Sequence, residues 1–374
     1  MAQSQRIKQL PRQVYDLIAA GEVVTSPLSA AKELVENAVD AGASRIWAEI
    51  EEGGIALIRV SDDGTGIEPK DLPLAFAPHA TSKINDADDL GRIATLGFRG
   101  EALASIAAVA EVEMVTKTAG SESAAGSRIQ IRGGEALKIE KIGADMGTTV
   151  TVSDLFFNIP ARLKHLNAPR SEGAKIVDYL SRMAISYPNI AFRLISNGTV
   201  LFATRGAGDR LAAITTVYGT GVAAFLIGVT GVDSDLGMSL EGYIAGPNGL
   251  RKSRKGQVLF VNGRSVKNPA IDAAIDRAYK EFAEPGRFPF TFLFLKVNPA
   301  DVDVNVHPAK NEIAFADAAM AGEFVEKTIR AALVSERSVP TLSLRGRGRR
   351  RAGADDTFRL QPDANPQTAP SAVS

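Results

Sequence analysis

The most informative residues for chemistry lie between Glu33 and Asp40. In an α-helix at about 100° per residue, Glu33, Asn37 and Asp40 fall within about 60° of one another on one face. A carboxylate one helical turn from a carboxamide can hold a water molecule and a hard metal ion side by side. A solvated helix face has the same spacing, so the segment alone fits both interpretations. The opposite face carries apolar residues and is predicted to face a core: Ala31, Leu34, Val35 and Ala38.

A second candidate is the motif Asp62-x-Gly64-x-Gly66, which follows a β-rich run. Its glycines would let a ligand approach the backbone closely. Its carboxylate can accept a hydrogen bond from an amino group such as the exocyclic amine of adenine. An ordinary Asp-Gly turn has the same composition, and the motif by itself favours that interpretation.

Three further segments could complete a ligand site. Thr81-Ser82-Lys83 and Gly97-Phe98-Arg99-Gly100-Glu101-Ala102-Leu103 place hydroxyls, cations and glycines at the start of a predicted helix. Such a helix N-terminus can bind an anion, although a capped surface helix fits equally. Gly147-Thr148-Thr149 could supply hydroxyls to a base-binding water network, or be a β-branched pair in a strand. Neither a P-loop nor a strand-linked Gly-x-Gly-x-x-Gly is present, so a nucleotide site would be of another kind.

Local patterns predict the elements that would position these residues. A helix begins at Ser26-Pro27 and ends at Gly42, a hairpin turns at Gly53-Gly54, and residues 70 to 100 form a lid or a disordered loop. A terminal hairpin over residues 190 to 205 turns at Asn197-Gly198. The remaining predicted helices are Pro11–Val24, Glu101–Val109, Ser171–Ser186, Arg210–Tyr218, Pro269–Lys280 and Ala318–Leu333. The remaining predicted strands are Glu111–Thr116, Ser127–Arg132, Thr148–Val152, Ala224–Thr230, Ser239–Ala245, Gln257–Val261 and Phe290–Val297, with an extended run at 302–306.

Length and composition bound the organisation and the classes of function. A chain of 374 residues suggests two or three domains, and Gly206-Ala207-Gly208 is a candidate boundary. We therefore expect domains at 1–208 and 209–335, with a basic, Pro- and Ala-rich linker or tail at 336–374. The 43 basic and 43 acidic residues balance, so a nucleic-acid surface would have to be local.

Several kinds of site and segment are excluded or not expected. Without cysteine, the sequence has no disulfides, thiol catalysis or Cys-based metal site. His79, His165 and His307 are too far apart in sequence to suggest a metal-binding cluster. We find no signal peptide at the start and no apolar run long enough to span a membrane.

Several long motifs, in this order, resemble the MutL family of DNA mismatch repair proteins. The resemblance covers about residues 5–335, and motifs of this length are very specific, whereas Asp-x-Gly-x-Gly alone would indicate only the wider GHKL superfamily. The motifs are Pro11-Arg12-Gln13-Val14, Ile18-Ala19-Ala20-Gly21-Glu22-Val23-Val24, Lys32-Glu33-Leu34-Val35-Glu36-Asn37, Asp40-Ala41-Gly42-Ala43, Gly97-Phe98-Arg99-Gly100-Glu101-Ala102-Leu103, Asp154-Leu155-Phe156-Phe157-Asn158, Pro160-Ala161-Arg162, Val261-Asn262-Gly263-Arg264 and Asp303-Val304-Asn305-Val306-His307-Pro308-Ala309-Lys310.

The resemblance implies an α+β fold and an ATPase. The expected fold is a Bergerat-type GHKL ATPase α/β sandwich, followed by a second α/β domain resembling the ribosomal protein S5 domain 2-like fold. The expected activity is slow hydrolysis of ATP with Mg²⁺, used as a conformational switch. The C-terminal dimerisation domain of the family, which carries an endonuclease in some members, is not expected in this chain.

The resemblance also implies roles for individual residues. Glu33 would be the general base for the attacking water, Asn37 would ligate Mg²⁺, and Lys310 would reach the γ-phosphate from the second domain. Asp62 would bind the adenine amine, supported by Thr148 through water. The remaining ATP-binding residues would be Gly66, Thr81, Ser82, Lys83, Gly97, Phe98, Arg99, Gly100, Glu101, Ala102 and Leu103.

Expected partners follow from the same resemblance. They are DNA, bound through its backbone without sequence specificity by Arg162 and Arg264, a MutS-like mismatch recognition protein, a downstream nuclease or helicase, and a second copy of the chain when ATP is bound. The run from Arg251 to Lys255 fits either a DNA-contacting groove or solvated surface charge. The resemblance implies a bacterial cytoplasmic protein, associated with the nucleoid when active, and no membrane partner.

Three residues depart from the family pattern: Asp63 stands where Asn is frequent, Ile159 where Thr is usual and Thr25 where an acidic residue is common. None removes a core catalytic group, but Asp63 places a second negative charge near the expected base pocket. Two alternatives remain: a topoisomerase ATPase subunit, which the long Gly97–Leu103 motif disfavours, and a non-hydrolysing protein with a vestigial nucleotide site.

Overall fold

The computed structural model describes residues 20–81, 100–118, 125–303 and 313–338 of the chain. By their contacts, these residues divide into two compact units, one ending at Asp209 and the other beginning at Arg210. The division lies next to the boundary predicted from the glycine pair at 206 and 208.

The first unit contains one mixed sheet of eight strands in the order β5-β4-β3-β6-β2-β1-β7-β8. Neighbouring strands are antiparallel except for β1 and β7, which run parallel. The strands are β1 Arg45–Glu51, β2 Leu57–Asp62, β3 Glu111–Lys117, β4 Ala125–Arg132, β5 Glu135–Gly143, β6 Gly147–Ser153, β7 Ala191–Ser196 and β8 Thr199–Ala203.

Buried and exposed side chains alternate along these strands, which explains why the described helices cover one face of the sheet. In β1, Ile46, Ala48 and Ile50 are buried, whereas Arg45 and Trp47 on the other face are exposed. The first unit is therefore a two-layer α/β sandwich. Its helices are α1 Pro27–Asp40, α2 Ala102–Val109, α3 Pro160–His165 and α4 Pro169–Ser186, with the last turn of a preceding helix at 20–23 and 3₁₀ turns at Glu52–Gly54 and Leu74–Phe76.

The second unit is built on a five-stranded sheet in the order β13-β12-β15-β10-β9, with its own apolar core. Its strands are β9 Leu226–Asp233, β10 Met238–Ala245, β11 Leu250–Arg251, β12 Gln257–Val261, β13 Arg264–Val266, β14 Phe288–Pro289, β15 Thr291–Lys296, β16 Val302–Asp303 and β17 Ala314–Phe315. Its helices are α5 Arg210–Tyr218, α6 Thr220–Ala223, α7 Pro269–Tyr279 and α8 Ala318–Ser338, with 3₁₀ turns at Pro247–Gly249, Arg254–Gly256 and Pro299–Asp301.

Most predicted elements are confirmed with small shifts at their ends, including the 190–205 hairpin, in which Asn197 and Gly198 both have positive φ. The predictions missed β5, Glu135–Gly143. This strand is mostly exposed on both faces, so it lacks the alternation that marks a half-buried strand. Helix α8 continues to Ser338, past the end predicted at Leu333. In the described ranges, no helix has both the length and the apolar character that crossing a lipid bilayer requires.

Candidate functional site

Local signals fix both ends of helix α1. The Ser29 N–H donates to Ser26 Oγ at 3.3 Å, and Pro27 occupies the first turn, where its missing N–H costs nothing. At the other end Gly42 has a φ of 71°, and its N–H donates to the carbonyl of Val39. The Ala43 N–H then donates to the Ala38 carbonyl, which completes a Schellman motif. The helix predicted from Ser26 to Gly42 is confirmed.

The two faces of α1 differ as the sequence predicts. The core face is almost fully inaccessible to solvent, with Leu34 at 3% and Val35 at 0% exposed. Glu33 and Asn37 are partly buried on the polar side of the helix. The helix thus presents a carboxylate and a carboxamide one turn apart, while their roles toward a ligand stay predictions.

Sequence reasoning missed Glu36, which is buried on the flank of α1. The residue is 9% exposed, and its carboxylate accepts a hydrogen bond from the Tyr179 hydroxyl of α4 at 3.3 Å. Burial raises the pKa of Glu36 to about 7, although Lys32 and the Tyr179 hydrogen bond oppose the rise. Glutamate at this position of a helix is ordinarily solvated, and nothing in the local sequence points to Tyr179.

Asp62 ends β2 with a partly buried carboxylate. Burial raises its pKa to about 6, and hydrogen bonds from the backbone N–H groups of Gly64 and Thr148 partly offset this rise. The adjacent charge of Asp63 adds to the rise. A carboxylate with this environment is a good acceptor for an amino group of a ligand, because a donor would relieve part of its desolvation.

Two glycines allow the loop after Asp62 to pack against α1 on one side and β3 on the other. A Cβ on Gly64 would lie 2.8 Å from the Ala41 Cβ, at the end of α1, and the Thr65 N–H donates to the Ala41 carbonyl at 3.1 Å. A Cβ on Gly66, where φ is 70°, would lie 2.2 Å from the carbonyl oxygen of Lys117. Glycine at both positions is therefore required for the loop to lie against α1 and β3.

Hydroxyl groups line the sheet beside Asp62. Thr148 pairs with Asp62 across β6 and β2, and its hydroxyl lies 3.0 Å from that of Thr116. Thr116 is 1% exposed, donates to the Gly147 carbonyl and accepts from the Ile67 N–H. The sequence analysis did not select Thr116, which fixes the loop after Gly66 to the strand that carries Thr148.

Asp63 turns away from its neighbour and holds the start of β1. Its two oxygens accept from the backbone N–H groups of Ser44 and Arg45, both at 2.8 Å, from Ser44 Oγ at 2.6 Å and from Arg45 Nε at 2.9 Å. Desolvation acts to raise its pKa, but these hydrogen bonds outweigh it and lower the pKa to about 2. The departure from Asn at this position therefore has a structural reason, since Asn has one acceptor oxygen instead of two.

Gly100, just before α2, lies against Ala80 and Thr81. A Cβ on Gly100, where φ is 61°, would lie 2.7 Å from the Ala80 carbonyl oxygen and 3.1 Å from Thr81 Cβ. In Glu101, the N-cap residue of α2, Oε1 lies 2.9 Å from His79 Nδ1. Ala102 and Leu103 form the first turn, so part of the predicted phosphate segment lies at a helix N-terminus. Other predicted site residues lie outside the described residues: Ser82, Lys83, Gly97, Phe98, Arg99 and Lys310.

The two predicted DNA-binding arginines differ in their surroundings. Arg162 Nη1 donates to the carbonyls of Gly21 and Val24 at 2.7 and 2.6 Å, and its guanidinium lies over the Phe156 ring. This arginine ties α3 to the chain that precedes α1, a role that does not require DNA. Arg264 is partly exposed at the start of β13, directly after the Asn262-Gly263 turn. Its proposed contact with DNA stays a prediction.

The basic run from Arg251 to Lys255 also has internal contacts. Arg254 pairs with both oxygens of Asp276, at 2.9 and 2.5 Å, and lies over the Phe288 ring. Arg251 lies over the Phe290 ring, with 5.6 Å from its Cζ to the ring centroid. These two arginines stabilise the second unit, which favours the structural interpretation for part of the run.

The donor atoms of the described residues suit Mg²⁺ that is also bound by a ligand. Among the described residues, no group of three or more His, Asp and Glu side chains could hold a metal ion. Asn37 offers one carboxamide oxygen, and Mg²⁺ commonly takes most of its octahedral ligands from phosphates and water. The residues present therefore fit a metal ion that arrives with a phosphate-bearing molecule.

Two family models match the chain. The "Histidine kinase-, DNA gyrase B-, and HSP90-like ATPase" model matches residues 25–149, which include α1, the Asp62 loop and Thr148. The "DNA mismatch repair protein, C-terminal domain" model matches residues 214–334.

Curated relatives extend the similarity across both units. DNA mismatch repair protein MutL of Shouchella clausii (strain KSM-K16) is 44% identical over 334 residues, which are 89% of this chain and 50% of that protein. MutL of Geobacillus thermodenitrificans (strain NG80-2) is 44% identical over 338 residues, 90% of this chain and 52% of that protein. The chain spans about half the length of the curated relatives it matches.

Solved structures agree in fold. The crystal structure of the N-terminal domain of a DNA repair protein is 27% identical, with a TM-score of 0.75, and the match covers 87% of this chain and 99% of that one. The Aquifex aeolicus MutL ATPase domain complexed with ADP is 22% identical, with a TM-score of 0.58 over 82% of this chain and 98% of that one, and supports the fold alone. The expected fold class, a GHKL-type ATPase sandwich followed by a second α/β domain, is confirmed.

Proposed function

This chain belongs to the MutL family of DNA mismatch repair proteins, and on that premise we propose that it binds ATP and hydrolyses it slowly as a conformational switch. One observation carries the proposal. The Asp62 loop lies directly against the end of α1, where the Thr65 N–H donates to the Ala41 carbonyl, and this contact supports one shared site for the polar face of α1 and the Asp62 carboxylate.

Each end of this site suits a different part of the nucleotide. Asp62 accepts from the adenine amine, and Thr148 supports the base through water. Gly66 lets the loop after Asp62 pack against β3, which holds Asp62 and Thr148 on the same side of the proposed base pocket. At the other end the N-terminus of α2, from Gly100 to Leu103, donates backbone N–H groups to phosphates.

Hydrolysis is assigned to Glu33 on α1. Its carboxylate orients the attacking water and accepts a proton from it as the water oxygen bonds to the γ-phosphorus. The bond from that phosphorus to the oxygen of the β-phosphate breaks, and ADP leaves with that oxygen. Asn37, one turn later, would hold the metal ion through its carboxamide oxygen. When bound, Mg²⁺ neutralises part of the charge on the phosphates.

Most residues in the conformational part of the proposal lie outside the described ranges. Residues around 75 to 100 close over ATP as a lid, with Thr81, Ser82, Lys83, Gly97, Phe98 and Arg99 contributing phosphate contacts. Lys310 reaches the γ-phosphate and senses its presence, so Lys310→Ala is expected to slow steady-state turnover. Unchanged turnover in that variant would remove Lys310 from the proposal.

The test of the base is the variant Glu33→Ala. It is expected to bind Mg²⁺–ATP and to lose most of its hydrolysis, by about 100-fold or more, because general-base catalysis supplies about that factor. Binding is measured by calorimetry and turnover by phosphate release. Tight binding together with full turnover would show that Glu33 is not the base.

ATP-driven dimerisation is the switch that we propose. Light scattering with and without a non-hydrolysable ATP analogue is expected to show a doubling of mass only with the analogue. Asp62→Asn, which removes the charged acceptor for adenine, provides the matched control and should stay monomeric at the same analogue concentration. A dimer that forms equally without nucleotide would contradict the switch.

DNA binding and repair partners complete the proposal. Arg264 contacts DNA phosphates without reading bases, and affinity should fall steeply between low and moderate salt because counterions are released. Salt-independent binding would contradict this mode. We further propose that ATP-driven dimerisation couples a MutS-like mismatch recognition protein to a downstream nuclease or helicase in the bacterial cytoplasm.

A further inference from the structure

A polar pair, Glu36 and Tyr179, connects the middle turn of α1 to α4. Glu36 lies about 60° around the helix axis from Glu33 and directly precedes Asn37. Its carboxylate accepts from the Tyr179 hydroxyl at 3.3 Å, and Lys32 Nζ lies 3.8 Å away. The pair joins the helix that carries the proposed catalytic face to the long helix packed against it.

The rest of the core face of α1 packs through apolar side chains. These side chains are mostly small, and the hydrophobic effect that stabilises their burial has no preferred direction. The helix ends are held by the Ser26 cap and by the Ala41 contacts, but neither lies in the turn that carries Glu33 and Asn37. A hydrogen bond has a preferred direction, so one from the middle turn fixes the angle at which that turn is held.

We infer that Glu36 and Tyr179 are positioning residues of the ATPase reaction, which hold α1 at the rotation that directs Glu33 and Asn37 toward the nucleotide. This inference rests on the proposed ATPase function and assigns neither residue a contact with ATP. A small rotation of α1 would move the Glu33 carboxylate relative to the attacking water, and displacements of about 1 Å can cost about 100-fold in rate.

The test compares three variants by steady-state ATPase kinetics. Glu36→Ala removes the acceptor, and its kcat is expected to fall about tenfold or more with KM for ATP changed less than about threefold. Tyr179→Phe removes only the hydroxyl and should lower kcat in the same direction, by about three- to tenfold. Glu36→Gln keeps an oxygen that accepts from Tyr179, so its kcat should stay within about twofold of the wild type.

Glu172→Ala provides a matched control for the loss of a buried carboxylate. Glu172 is 1% exposed in α4 and accepts from Asn167 Nδ2 at 2.6 Å and Lys175 Nζ at 2.9 Å, without a contact to the catalytic face of α1. This variant should lower the melting temperature but keep kcat. If Glu36→Ala does not fold, Tyr179→Phe and Glu36→Gln decide the inference.

Three results would overturn the positioning role. They are wild-type kcat in Glu36→Ala or Tyr179→Phe, a loss in Glu36→Gln as large as in Glu36→Ala, and an equal loss of kcat in Glu172→Ala. If the wild-type protein hydrolyses ATP and Glu33→Ala does not, any of these results removes only this inference. If the wild-type protein does not hydrolyse ATP, both this inference and the proposed function fail.

Discussion

Asp62 and Asp63 are adjacent residues whose side chains meet opposite surroundings. Asp62 is desolvated beside the sheet and has a pKa raised to about 6, whereas Asp63 accepts four hydrogen bonds and has a pKa lowered to about 2. At neutral pH both carboxylates are ionised. Only Asp62 accepts too few hydrogen bonds to offset the free-energy cost of burying its charge. This difference supports the proposed ligand contact for Asp62 and a structural role for Asp63.

The raised pKa of Asp62 predicts a pH-dependent affinity for adenine nucleotides. An amine donor stabilises the ionised carboxylate, so binding should strengthen as pH rises through about 6 and weaken several-fold between about pH 7 and about pH 5. Calorimetric titration of ADP with Mg²⁺ measures this dependence. The phosphates of ADP titrate in the same pH range. The Asp62→Asn variant therefore measures the part of the pH dependence that comes from the nucleotide itself. Identical curves for both proteins would argue against Asp62 as the acceptor.

Asp63 is predicted to stabilise the fold rather than the ligand. Its folded pKa lies below the ordinary value of 3.8, so its contribution is present above that value and is lost as pH falls through about 2. Asp63→Ala should cost about 1–2 kcal/mol in free energy of unfolding at neutral pH and leave nucleotide affinity unchanged. Chemical denaturation at neutral and acidic pH measures the cost.

Asp63→Asn is the sharper comparison for that prediction. It keeps one acceptor oxygen and removes the charge that faces Arg45, so an intermediate loss is expected. If Asp63→Ala lowered the free energy of unfolding by the same amount at about pH 2 as at neutral pH, the ionised carboxylate would not be the cause of the stabilisation.

At the scale of elements, the site depends on glycines where backbones meet. Gly66 and Gly42 both have a φ near 70°, but their surroundings differ. A Cβ on Gly66 would meet the Lys117 carbonyl at 2.2 Å, while a Cβ on Gly42 would have no atom within 4 Å. The first glycine is required by both conformation and space, the second by conformation alone.

This contrast predicts different costs for two alanine variants. Gly42→Ala should lower the free energy of unfolding by about 1 kcal/mol, the strain of a left-handed residue, and leave nucleotide binding intact. Gly66→Ala should cost at least about 2 kcal/mol and also weaken nucleotide binding, because β3 or the loop must shift. Thermal denaturation and ADP titration measure both effects. Equal costs for the two variants would contradict the packing explanation.

At the scale of the whole molecule, each of the two units has its own buried core, and the proposed nucleotide-contacting residues of the described ranges belong to the first unit. Differential scanning calorimetry should therefore resolve two transitions. ADP with Mg²⁺ at about 100 times its Kd should stabilise only the first unit, by about 2.7 kcal/mol.

Gly66→Ala identifies the transition of the first unit, since it should lower that transition alone. An equal upward shift of both transitions on adding ADP would contradict a site confined to the described residues of the first unit. A single transition would show that the two units unfold together.

Much of the fold follows from local signals in the sequence. The helix from Pro27 to Asp40, its cap at Ser26 and its end at Gly42 depend on residues within a few positions of one another. The same holds for the hairpin turn at Asn197-Gly198. Strand β5 escaped prediction because its side chains are mostly exposed, and an exposed edge strand leaves little periodic pattern.

The sequence by itself determined the family, the helix carrying Glu33 and Asn37, and the Asp-x-Gly-x-Gly loop, because these depend on residue type and short spacing. Only the tertiary structure decided that Glu36 meets Tyr179, that Asp63 binds Ser44 and Arg45, and that Arg162 holds the carbonyls of Gly21 and Val24. Such pairs join residues far apart in the chain. A polar side chain has the same local pattern whether it meets water or a distant partner, and only packing selects between them.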